Sequence, residues 1–587
     1  MSNRRVFRWT VALCAALVVA TLLLSTFTGR FGFDDEGYIL VSLRGWIGGH
    51  ALYDDVYSQY GPAFFQIIGW PFRILGNDYV TFDAARAVTV VLGAVTALSL
   101  GLVTKRITGS GAAGLAAGVG VALCAPTGLE AALHPTHLVN ALIALALLGV
   151  VTLSDRPRAV PAALLLGVTV ALIALVKINL GVLVAAALFA GVGWVGRSAS
   201  LRLRLLAPVA LIGAVAVTQE LSNYPTHFVS FLAIAALVVA LSAPNVAVRG
   251  EVPSRRVVFT GMVVAGVVVW FTLRDGTGVN SLAHGVVIDP LRQAHAFTAA
   301  MTTGKMTPVA LVLIFVCAVL VNSLRRPAVT GIVFVLLGVA ACVAAYSQRY
   351  GGGVLFAVNN LVAGAALGWI VLRTPDGDVP ASRAVLCALG VLLPLQAYPV
   401  AGAQRSAGAL VFPLIGVIAI TDGLRALKVE RAAPVVLALA ATAASVVGVV
   451  HAQRVRADAS PLPLAGRWIR VAPGDAAAVP VIAQALRHCD AFYGLPGLNS
   501  FYLFARERPP TWQNAGTWMT LFDASRQREV VRDLKRVHNL CVLRDPNVER
   551  GWIESGDERP GPLRPYLESF TRRVANAGPY EVYRSAD

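Results

Sequence analysis

Long apolar runs recur along this sequence from residue 9 to residue 451. Most approach the length, about 20 residues, that lets a helix cross the hydrocarbon core of a bilayer. The composition agrees, because 56% of the 587 residues are hydrophobic and only 14% are charged, whereas about 25% of an ordinary soluble domain is charged. The sequence therefore predicts an all-α polytopic membrane bundle and excludes a soluble globular protein.

Hydropathy predicts about 13–15 transmembrane helices. The first run, Trp9 to Thr28, follows an arginine cluster and lacks a small-residue cleavage site, so we expect it to be retained with its N-terminus in the cytoplasm. The other predicted spans lie at 87–104, 111–126, 138–153, 160–176, 179–195, 205–221, 228–243, 257–273, 307–323, 328–346, 355–372, 384–399, 407–422 and 434–451.

The net charge of +17 comes with arginine and lysine clusters in alternate loops. Such clusters are typical of cytoplasmic loops, so we expect a lipid bilayer and no nucleic acid as the partner. An odd number of spans then places everything after residue 451 outside the cytoplasm. The abundance of arginine and alanine indicates a bacterial protein, and hence the inner (plasma) membrane.

Residues 452–587 change composition, with charged residues and proline throughout. They predict an extracytoplasmic soluble α/β domain after a transmembrane domain at 1–451. The spacing of apolar residues predicts helices at 481–487 and 526–537 and strands at 491–493 and 540–543.

Two aspects of this outer domain stay open at the level of sequence. Cys489 and Cys541 lie at or beside the two predicted strands, in a compartment that permits disulfides, and either pair or remain buried thiols. Trp512 and Trp518 belong to an aromatic-rich segment, where one of them contacts a glycan or both are core.

The loop at 29–86, between the first two spans, carries the richest chemistry. Asp34, Asp35 and Glu36 follow the first span directly. Adjacent carboxylates at a lipid boundary are costly unless a cation or a reaction uses them, although they would also serve as a negative cap that enforces topology. Amphipathic runs at 39–46 and 64–75 are suited to lying along the membrane interface.

Four features of the sequence resemble the GT-C superfamily of polytopic glycosyltransferases. They are the Asp-Glu pair after the first span, Gly-x-x-Leu-Tyr-Asp-Asp at 49–55, Gln-Tyr-Gly-Pro at 59–62, and Arg86 at the start of the second span. The nearer relatives are the protein mannosyltransferase-like and aminoarabinose transferase-like branches. Many relatives carry Lys-Pro-Pro-Leu where this chain has 59–62, which leaves the sugar open.

The resemblance implies an integral membrane enzyme that transfers a hexose or pentose from a polyprenyl-phosphate donor. The acceptor would be an extracytoplasmic glycan, lipid or protein of the cell envelope, and the anomeric configuration would invert. Asp35 matches the acidic base of the family, with Asp34 as the register alternative and Glu36 beside them. Lys177 lies at the end of a span, where it either contacts the donor phosphate or extends to the interface.

Further candidates follow from charge and position in the loops on the outer side. Arginine suits a phosphate group because its planar fork donates two parallel hydrogen bonds. Other phosphate-binding candidates are Arg349, Arg292 and Arg405. Supporting or acceptor-contacting candidates are Asp54, Asp55, Gln59, Tyr60, Glu130, His134 and His137. The last three share a helical face and either anchor the interface or help to bind a divalent cation; no cofactor is certain.

Two other classes of protein fit the same composition. A transporter or flippase also needs many spans, but such proteins usually carry internal repeats with a site near the bilayer midplane. The sequence shows no repeat, and its polar residues lie at the ends of spans. A glycan polymerase or ligase would use a diphosphate-linked donor instead.

Overall fold

The chain is a helical multi-pass membrane protein with a C-terminal α/β domain. The computed structural model describes residues 3–29, 34–124, 131–193, 227–242, 248–249, 254–290, 304–324, 326–350, 358–374, 379–397, 404–555 and 558–585. Within these ranges, eight helices are long and apolar enough to cross a membrane. The predicted fold class is confirmed.

The helices before residue 458 are, in chain order, α1 (Asn3–Thr26), α2 (Asp35–Ile47), α3 (Pro62–Phe64), α4 (Trp70–Leu75), α5 (Phe82–Thr108), α6 (Gly111–Cys124), α7 (Pro135–Asp155), α8 (Val160–Val176), α9 (Ile178–Gly193), α10 (His227–Ser242), α11 (Ser254–Arg274), α12 (Val279–Ala283), α13 (Thr307–Leu324), α14 (Pro327–Tyr350), α15 (Asn360–Ala366), α16 (Ala381–Leu392), α17 (Gln404–Gly408), α18 (Phe412–Ala426) and α19 (Ala433–Ala457). Segments with π-helical hydrogen bonds occur at Phe65–Gly69 and His284–Ile288. Short 3-10 turns occur at Asn77–Tyr79, Leu367–Leu372 and Leu393–Ala397. Two short strands, β1 (Val248–Arg249) and β2 (Val379–Pro380), pair in parallel.

The predicted spans agree with these helices. Eight correspond to the long helices and six more to shorter apolar helices, beginning with Gly111–Cys124. The predicted span at 205–221 lies outside the described residues. In the loop at 29–86, the two amphipathic runs form α2 and the α3–α4 segment, as their periodicity predicts.

Small residues and one buried ion pair hold helices of the bundle together. Gly101 of α5 and Gly114 of α6 lie so close that a side chain on either would meet the carbonyl oxygen of the other. Glycine is therefore needed for this close approach of two apolar helices. Arg383 of α16 donates to both carboxylate oxygens of Asp422 on α18, at 2.6 and 3.3 Å.

The C-terminal domain contains a hairpin, a mixed sheet and several helices. Strands β3 (Ser460–Pro461) and β4 (Arg470–Val471) pair antiparallel, and a second sheet has the order β5-β6-β8-β7, with β5 and β6 parallel. Its elements are α20 (Pro473–Leu486), β5 (Ala491–Leu495), α21 (Ser500–Ala505), α22 (Trp518–Leu521), α23 (Ala524–Leu534), β6 (Leu540–Arg544), α24 (Pro546–Ser555), α25 (Leu563–Glu568), β7 (Arg572–Ala577) and β8 (Tyr580–Arg584).

The elements predicted for this domain are all present. The helices predicted at 481–487 and 526–537 belong to α20 and α23, and the two predicted strands to β5 and β6. Cys489 and Cys541 form a disulfide, which settles the alternative left open by the sequence. Trp518 is a core residue, 1% exposed, and donates its indole N–H to the Gly494 carbonyl at 2.9 Å.

The C-terminal domain packs directly against the loop at 29–86 and the end of α1. Beside α1, the Arg470 N–H donates to the Phe27 carbonyl, and the Gly29 N–H donates to the Arg470 carbonyl, both at 3.0 Å. The rings of Phe82 and Phe504 stack 5.2 Å apart. The domain and this loop therefore form one packed unit at one face of the bundle, which we call the domain face.

Candidate active site

The three consecutive acidic residues at the start of α2 have three different environments. Successive residues at the start of a helix point about 100° apart, so neighbours in sequence face different elements. Asp34 occupies the N-cap position of the helix in a left-handed conformation, with φ of 53°. Its buried carboxylate accepts hydrogen bonds from the Ser500 N–H at 2.7 Å and from the Ser500 hydroxyl. Burial raises the pKa of Asp34 to about 8, although the bonds from Ser500 oppose the shift.

Glu36 is bound to Arg86, a residue that is 1% exposed at the start of α5. The guanidinium donates to both carboxylate oxygens, at 3.0 and 2.8 Å, and also to the Thr26 carbonyl at 3.0 Å. This bidentate pair joins the ends of α1, α2 and α5. It satisfies the Glu36 carboxylate within the fold, so its evident role is to position the start of α2.

Asp35 is electrostatically coupled to Lys177. It is half-buried and lies close enough to Lys177 for each charge to shift the pKa of the other. Burial raises the pKa of Asp35 to about 6, and Lys177 limits that rise. Burial lowers the pKa of Lys177 to about 8, against the opposing effect of Asp35.

The Gln59–Pro62 segment reaches Lys177 through a close backbone contact. The Gly61 N–H donates to the Val176 carbonyl at 3.0 Å, at the last residue of α8 before Lys177. A Cβ atom at Gly61 would collide with the Leu175 carbonyl oxygen. Glycine at this position therefore lets the loop lie directly against the end of α8.

This contact places Tyr60 beside His134. The Tyr60 hydroxyl lies 3.0 Å from His134 Nε2, and the Thr136 N–H donates to His134 Nδ1 at 3.3 Å. Burial and the nearby Lys177 lower the pKa of His134 well below its usual value. The neutral ring therefore carries its proton on Nε2 and donates it to Tyr60, which leaves the Tyr60 hydroxyl proton for another acceptor.

A pair of tyrosines connects Asp35 with the rest of the loop. Tyr38, one turn along α2 from Asp35, accepts a hydrogen bond from the Gln59 N–H at 3.0 Å. The rings of Tyr38 and Tyr60 lie 6.3 Å apart. Burial raises the pKa of Tyr60, and the Asp35 charge adds to that rise. Asp35, Lys177, Tyr60, His134 and Tyr38 form what we call the Asp35 cluster.

Asp54 and Asp55 bind backbone groups of neighbouring loops. Asp54 accepts from the Gly278 N–H at 2.8 Å and from the Ser281 hydroxyl, so it caps α12. Asp55 accepts from the Ala51 N–H at 2.9 Å. The Gln513 side chain donates to the carbonyl oxygens of both residues, at 2.8 and 2.9 Å, and thereby connects this turn to the C-terminal domain.

The remaining candidates lie elsewhere. His137 is buried one turn inside α7, beside a cavity of about 20 Å³ that Asn140 and Ser406 also line. Arg405 is half-buried in α17. Arg349 belongs to the last turn of α14, but its side chain is not among the described ones, and both Arg292 and Glu130 lie outside the described residues.

The described part of the chain offers no ligand set for the divalent cation that the sequence admits. Within it, no three His, Cys, Asp or Glu side chains converge as metal ligands.

A polar cavity of about 260 Å³ lies between the loop at 29–86, the α12 region and the C-terminal domain. Arg526 lies over the Tyr57 ring at 4.9 Å and donates to Gln513 Oε1 at 2.9 Å. Arg526 is not among the residues predicted from the sequence, because one arginine in a charged amphipathic helix carries no distinguishing signal. The lining residues include Tyr53, Tyr57, Ser58, His284, Asp289, Arg526 and Arg559.

The cavity and the Asp35 cluster border the same stretch of chain. Tyr57 and Ser58 line the cavity, while Tyr60, two residues further on, contacts His134. The cavity therefore lies next to the segment that carries Tyr60. The arrangement supplies a carboxylate of raised pKa, an ammonium group and a polar chamber at one face of a membrane protein.

Comparisons with known proteins identify similar folds among solved structures. No protein-family model matches the chain. No curated protein matches it either. One similar structure is ArnT from Cupriavidus metallidurans bound to undecaprenyl phosphate, with 11% identity, a TM-score of 0.40, and coverage of 99% of this chain and 98% of that one.

A second similar structure is the archaeal oligosaccharyltransferase AglB from Archaeoglobus fulgidus, in complex with an inhibitory peptide and a dolichol-phosphate. It has 14% identity and a TM-score of 0.44, and the match covers 100% of this chain and 75% of that one.

Proposed function

We propose that this protein is a membrane glycosyltransferase that moves a sugar from a polyprenyl-phosphate donor to an acceptor hydroxyl at the domain face. The observation that carries the proposal is that Asp35 and Lys177 lie close enough for each charge to shift the pKa of the other. An acidic group and a cationic group thus share one partly buried site. Perturbed pKa values of this kind are typical of catalytic sites.

The reaction needs a base for the acceptor and a cation for the leaving group. The acceptor oxygen attacks the anomeric carbon as the bond between that carbon and the phosphate oxygen breaks, with inversion. Asp35 takes the hydroxyl proton, and the bonding electron pair leaves with the polyprenyl phosphate. Lys177 neutralises the charge that develops on that phosphate.

The environment of Asp35 suits a general base. A carboxylate with a pKa of about 6 is ionised at neutral pH yet holds a proton more strongly than an exposed aspartate. Asp34 and Glu36 are bound to Ser500 and Arg86, which makes them positioning residues in this proposal. Tyr60, with its hydroxyl proton free to turn, is proposed to donate to a phosphate oxygen beside Lys177.

The polar cavity beside Tyr57 is proposed to hold the acceptor. Its aromatic, hydroxyl, carboxylate and guanidinium groups match the mixed surface of a glycan or a polar headgroup. Asp54, Asp55 and Gln59 shape the loop that borders it. The C-terminal domain contributes Arg526 and Arg559 to the lining, so in this proposal it completes the acceptor site.

The domain face is proposed to be the outer face of a bacterial inner membrane. Support comes from the positive charge at the opposite ends of the helices. Lys105 and Arg106 lie in the last turn of α5, and Arg425 in the last turn of α18, where cytoplasmic loops are expected. The N-terminus would then be cytoplasmic, and the disulfide would lie in an oxidising compartment.

The decisive experiment is transfer of radiolabelled sugar to membrane extracts from a panel of polyprenyl-monophosphate and polyprenyl-diphosphate sugars. We expect transfer by the wild type and a loss of at least about 100-fold in Asp35→Asn. Asp78→Asn is the matched control, because it changes an exposed carboxylate of the same loop to which no role is assigned, and it should retain activity. Full activity of Asp35→Asn would refute the assignment of the base, and transfer from diphosphate-linked donors alone would indicate a polymerase or ligase.

A further inference from the structure

A second cavity, of about 320 Å³ and lined by two arginines, lies at the other end of α2. It is lined by Trp46, His50, Arg73, Arg274 and Asp275, among others. Asp35 and Trp46 are separated by roughly 16 Å along the helix, at 1.5 Å per residue. The cavity is therefore separate from the Asp35 cluster, and no step of the proposed transfer uses it.

The two guanidinium groups of this cavity are held by aromatic rings. Arg73 lies 5.1 Å from the Trp46 ring and 5.4 Å from the Trp70 ring, and Arg274 lies 5.4 Å from the Trp270 ring. Rings on the side of a guanidinium leave its edge free to donate hydrogen bonds in the plane. Such an edge matches the oxygens of a phosphate group.

The two arginines and the one aspartate that line the cavity leave one positive charge uncompensated. Arg73 lies 3.1 Å from the Asp275 carboxylate, which compensates one positive charge. Arg274 is exposed, and its charge requires an anion from outside the cavity or water. An anion with one net negative charge, such as a phosphodiester, would complete the balance.

Exposed apolar side chains lie next to the two arginines of the cavity, in space or in sequence. Trp70 and Trp270 are 39% and 54% exposed, and Ile74, on the next turn from Trp70, is 78% exposed. Arg274 is the last residue of α11, so the cavity sits where a candidate spanning helix ends. Tryptophan and arginine at such a level face the boundary between headgroups and acyl chains.

Hydrogen bonds between the loop at 29–86 and the α11 region hold the walls of the cavity in place. The Gln66 side chain donates to the Val268 carbonyl and the Thr272 hydroxyl of α11, both at 2.9 Å. Beyond the helix end, the Thr277 hydroxyl donates to the Leu52 carbonyl at 3.0 Å. These bonds join α11 to the loop at 29–86 on both sides of Arg73 and Arg274.

We infer that this cavity binds the phosphate group of an anionic membrane lipid, with the acyl chains lying against Trp70, Ile74 and Trp270. The inference does not depend on the proposed sugar transfer. A bound lipid here would connect α4 to α11 and so brace the loop that carries Asp35.

The test is native mass spectrometry of the full-length protein, titrated with phosphatidylglycerol, zwitterionic phosphatidylcholine or undecaprenyl phosphate. We expect the wild type to retain one phosphatidylglycerol with at least tenfold preference over phosphatidylcholine. Arg274→Gln should weaken that retention at least tenfold. The variant keeps the contact between Arg73 and Asp275, and an unchanged thermal midpoint would show that it folds.

Arg467→Gln is the matched control. Arg467 is exposed and lies over the exposed Trp468 ring at 5.5 Å, but does not line the cavity, so its loss should leave lipid retention unchanged. Equal phosphatidylglycerol retention in the wild type and Arg274→Gln would overturn the inference, as would an equal loss in Arg467→Gln. A loss confined to undecaprenyl phosphate would overturn it by assigning the cavity to the prenyl chain carrier.

Discussion

The carboxylate of Asp34 accepts hydrogen bonds from both the backbone N–H and the hydroxyl of Ser500, although 466 positions separate the two residues. The first residue of α21 is thereby joined to the N-cap of α2. A Cβ atom at Gly37 would collide with the Ser500 nitrogen, so the two helices also meet without an intervening side chain. The contact holds this part of the C-terminal domain next to Asp35.

We expect the stability of the folded protein to fall as pH rises, because the buried Asp34 must then ionise. Burial raises the pKa of Asp34 from 3.8 to about 8, so between these values the folded protein holds a proton that the unfolded chain releases. This contribution to stability is complete below about pH 4 and is lost as pH rises to about 8. The thermal midpoint should therefore fall over this range by more than about 5 °C relative to Asp34→Asn. Parallel curves for the two proteins would contradict the prediction.

The rate of sugar transfer should have a bell-shaped dependence on pH. The proposed base is active when deprotonated, so activity should rise through a pH of about 6, the pKa of Asp35. The proposed phosphate contact is active when charged, so activity should fall through a pH of about 8, the pKa of Lys177. Lys177→Arg should move the alkaline limb upward because arginine stays charged. An unchanged alkaline limb in that variant would exclude Lys177 as its origin.

Removing Arg86 should destabilise the protein. The change Arg86→Ala leaves the Glu36 carboxylate buried and uncompensated, at a cost of about 3–5 kcal/mol. The measurement is thermal unfolding in detergent. Arg532→Ala serves as the control, because its pair with Glu529 is 61% and 46% exposed and should contribute at most about 1 kcal/mol. A stable Arg86→Ala protein would show that α1, α2 and α5 do not depend on this pair.

Substitution of Gly61 should displace the Tyr60 loop from the end of α8. The Cβ of Gly61→Ala would collide with a backbone carbonyl that cannot rotate away, which costs about 1–3 kcal/mol. We expect transfer activity to fall at least tenfold even where the protein remains folded, since Tyr60 moves away from His134. Gly474→Ala is the control, because no atom lies within 4 Å of its added Cβ. Equal activity of both variants would refute this role of Gly61.

The disulfide should stabilise the C-terminal domain. Cys489 and Cys541 are 52 positions apart, and closing a loop of this length restricts the unfolded chain by about 4 kcal/mol. Cys541→Ser should lower the free energy of unfolding of the domain by about 2–5 kcal/mol, measured by chemical denaturation with protease digestion. Under denaturing, non-reducing conditions five of the seven cysteines should react with a thiol label. Labelling of all seven would exclude the disulfide.

Local sequence patterns were sufficient for the apolar helices and for two helices and two strands of the C-terminal domain, but not for β3, β4, β7 and β8. A run of apolar residues must form a helix in lipid because its backbone groups have no water to bind, and 433–457 needs no distant partner to do so. The strand at 540–543 was equally clear, because short apolar runs beside charged helices are typical of buried strands. The sequence alone could not show whether Cys489 and Cys541 pair with each other. The sheet decided this, because β5 and β6 lie side by side in it.

The sequence by itself determined that the chain crosses a membrane many times and that three carboxylates follow its first span. Only the tertiary structure decided that Asp34 binds Ser500, that the Lys177 charge acts on Asp35, and that Glu36 pairs with Arg86. The reason is physical. Hydropathy acts within one helix and can be read locally, whereas the charge state of a buried group depends on partners from distant parts of the chain, which folding alone brings together.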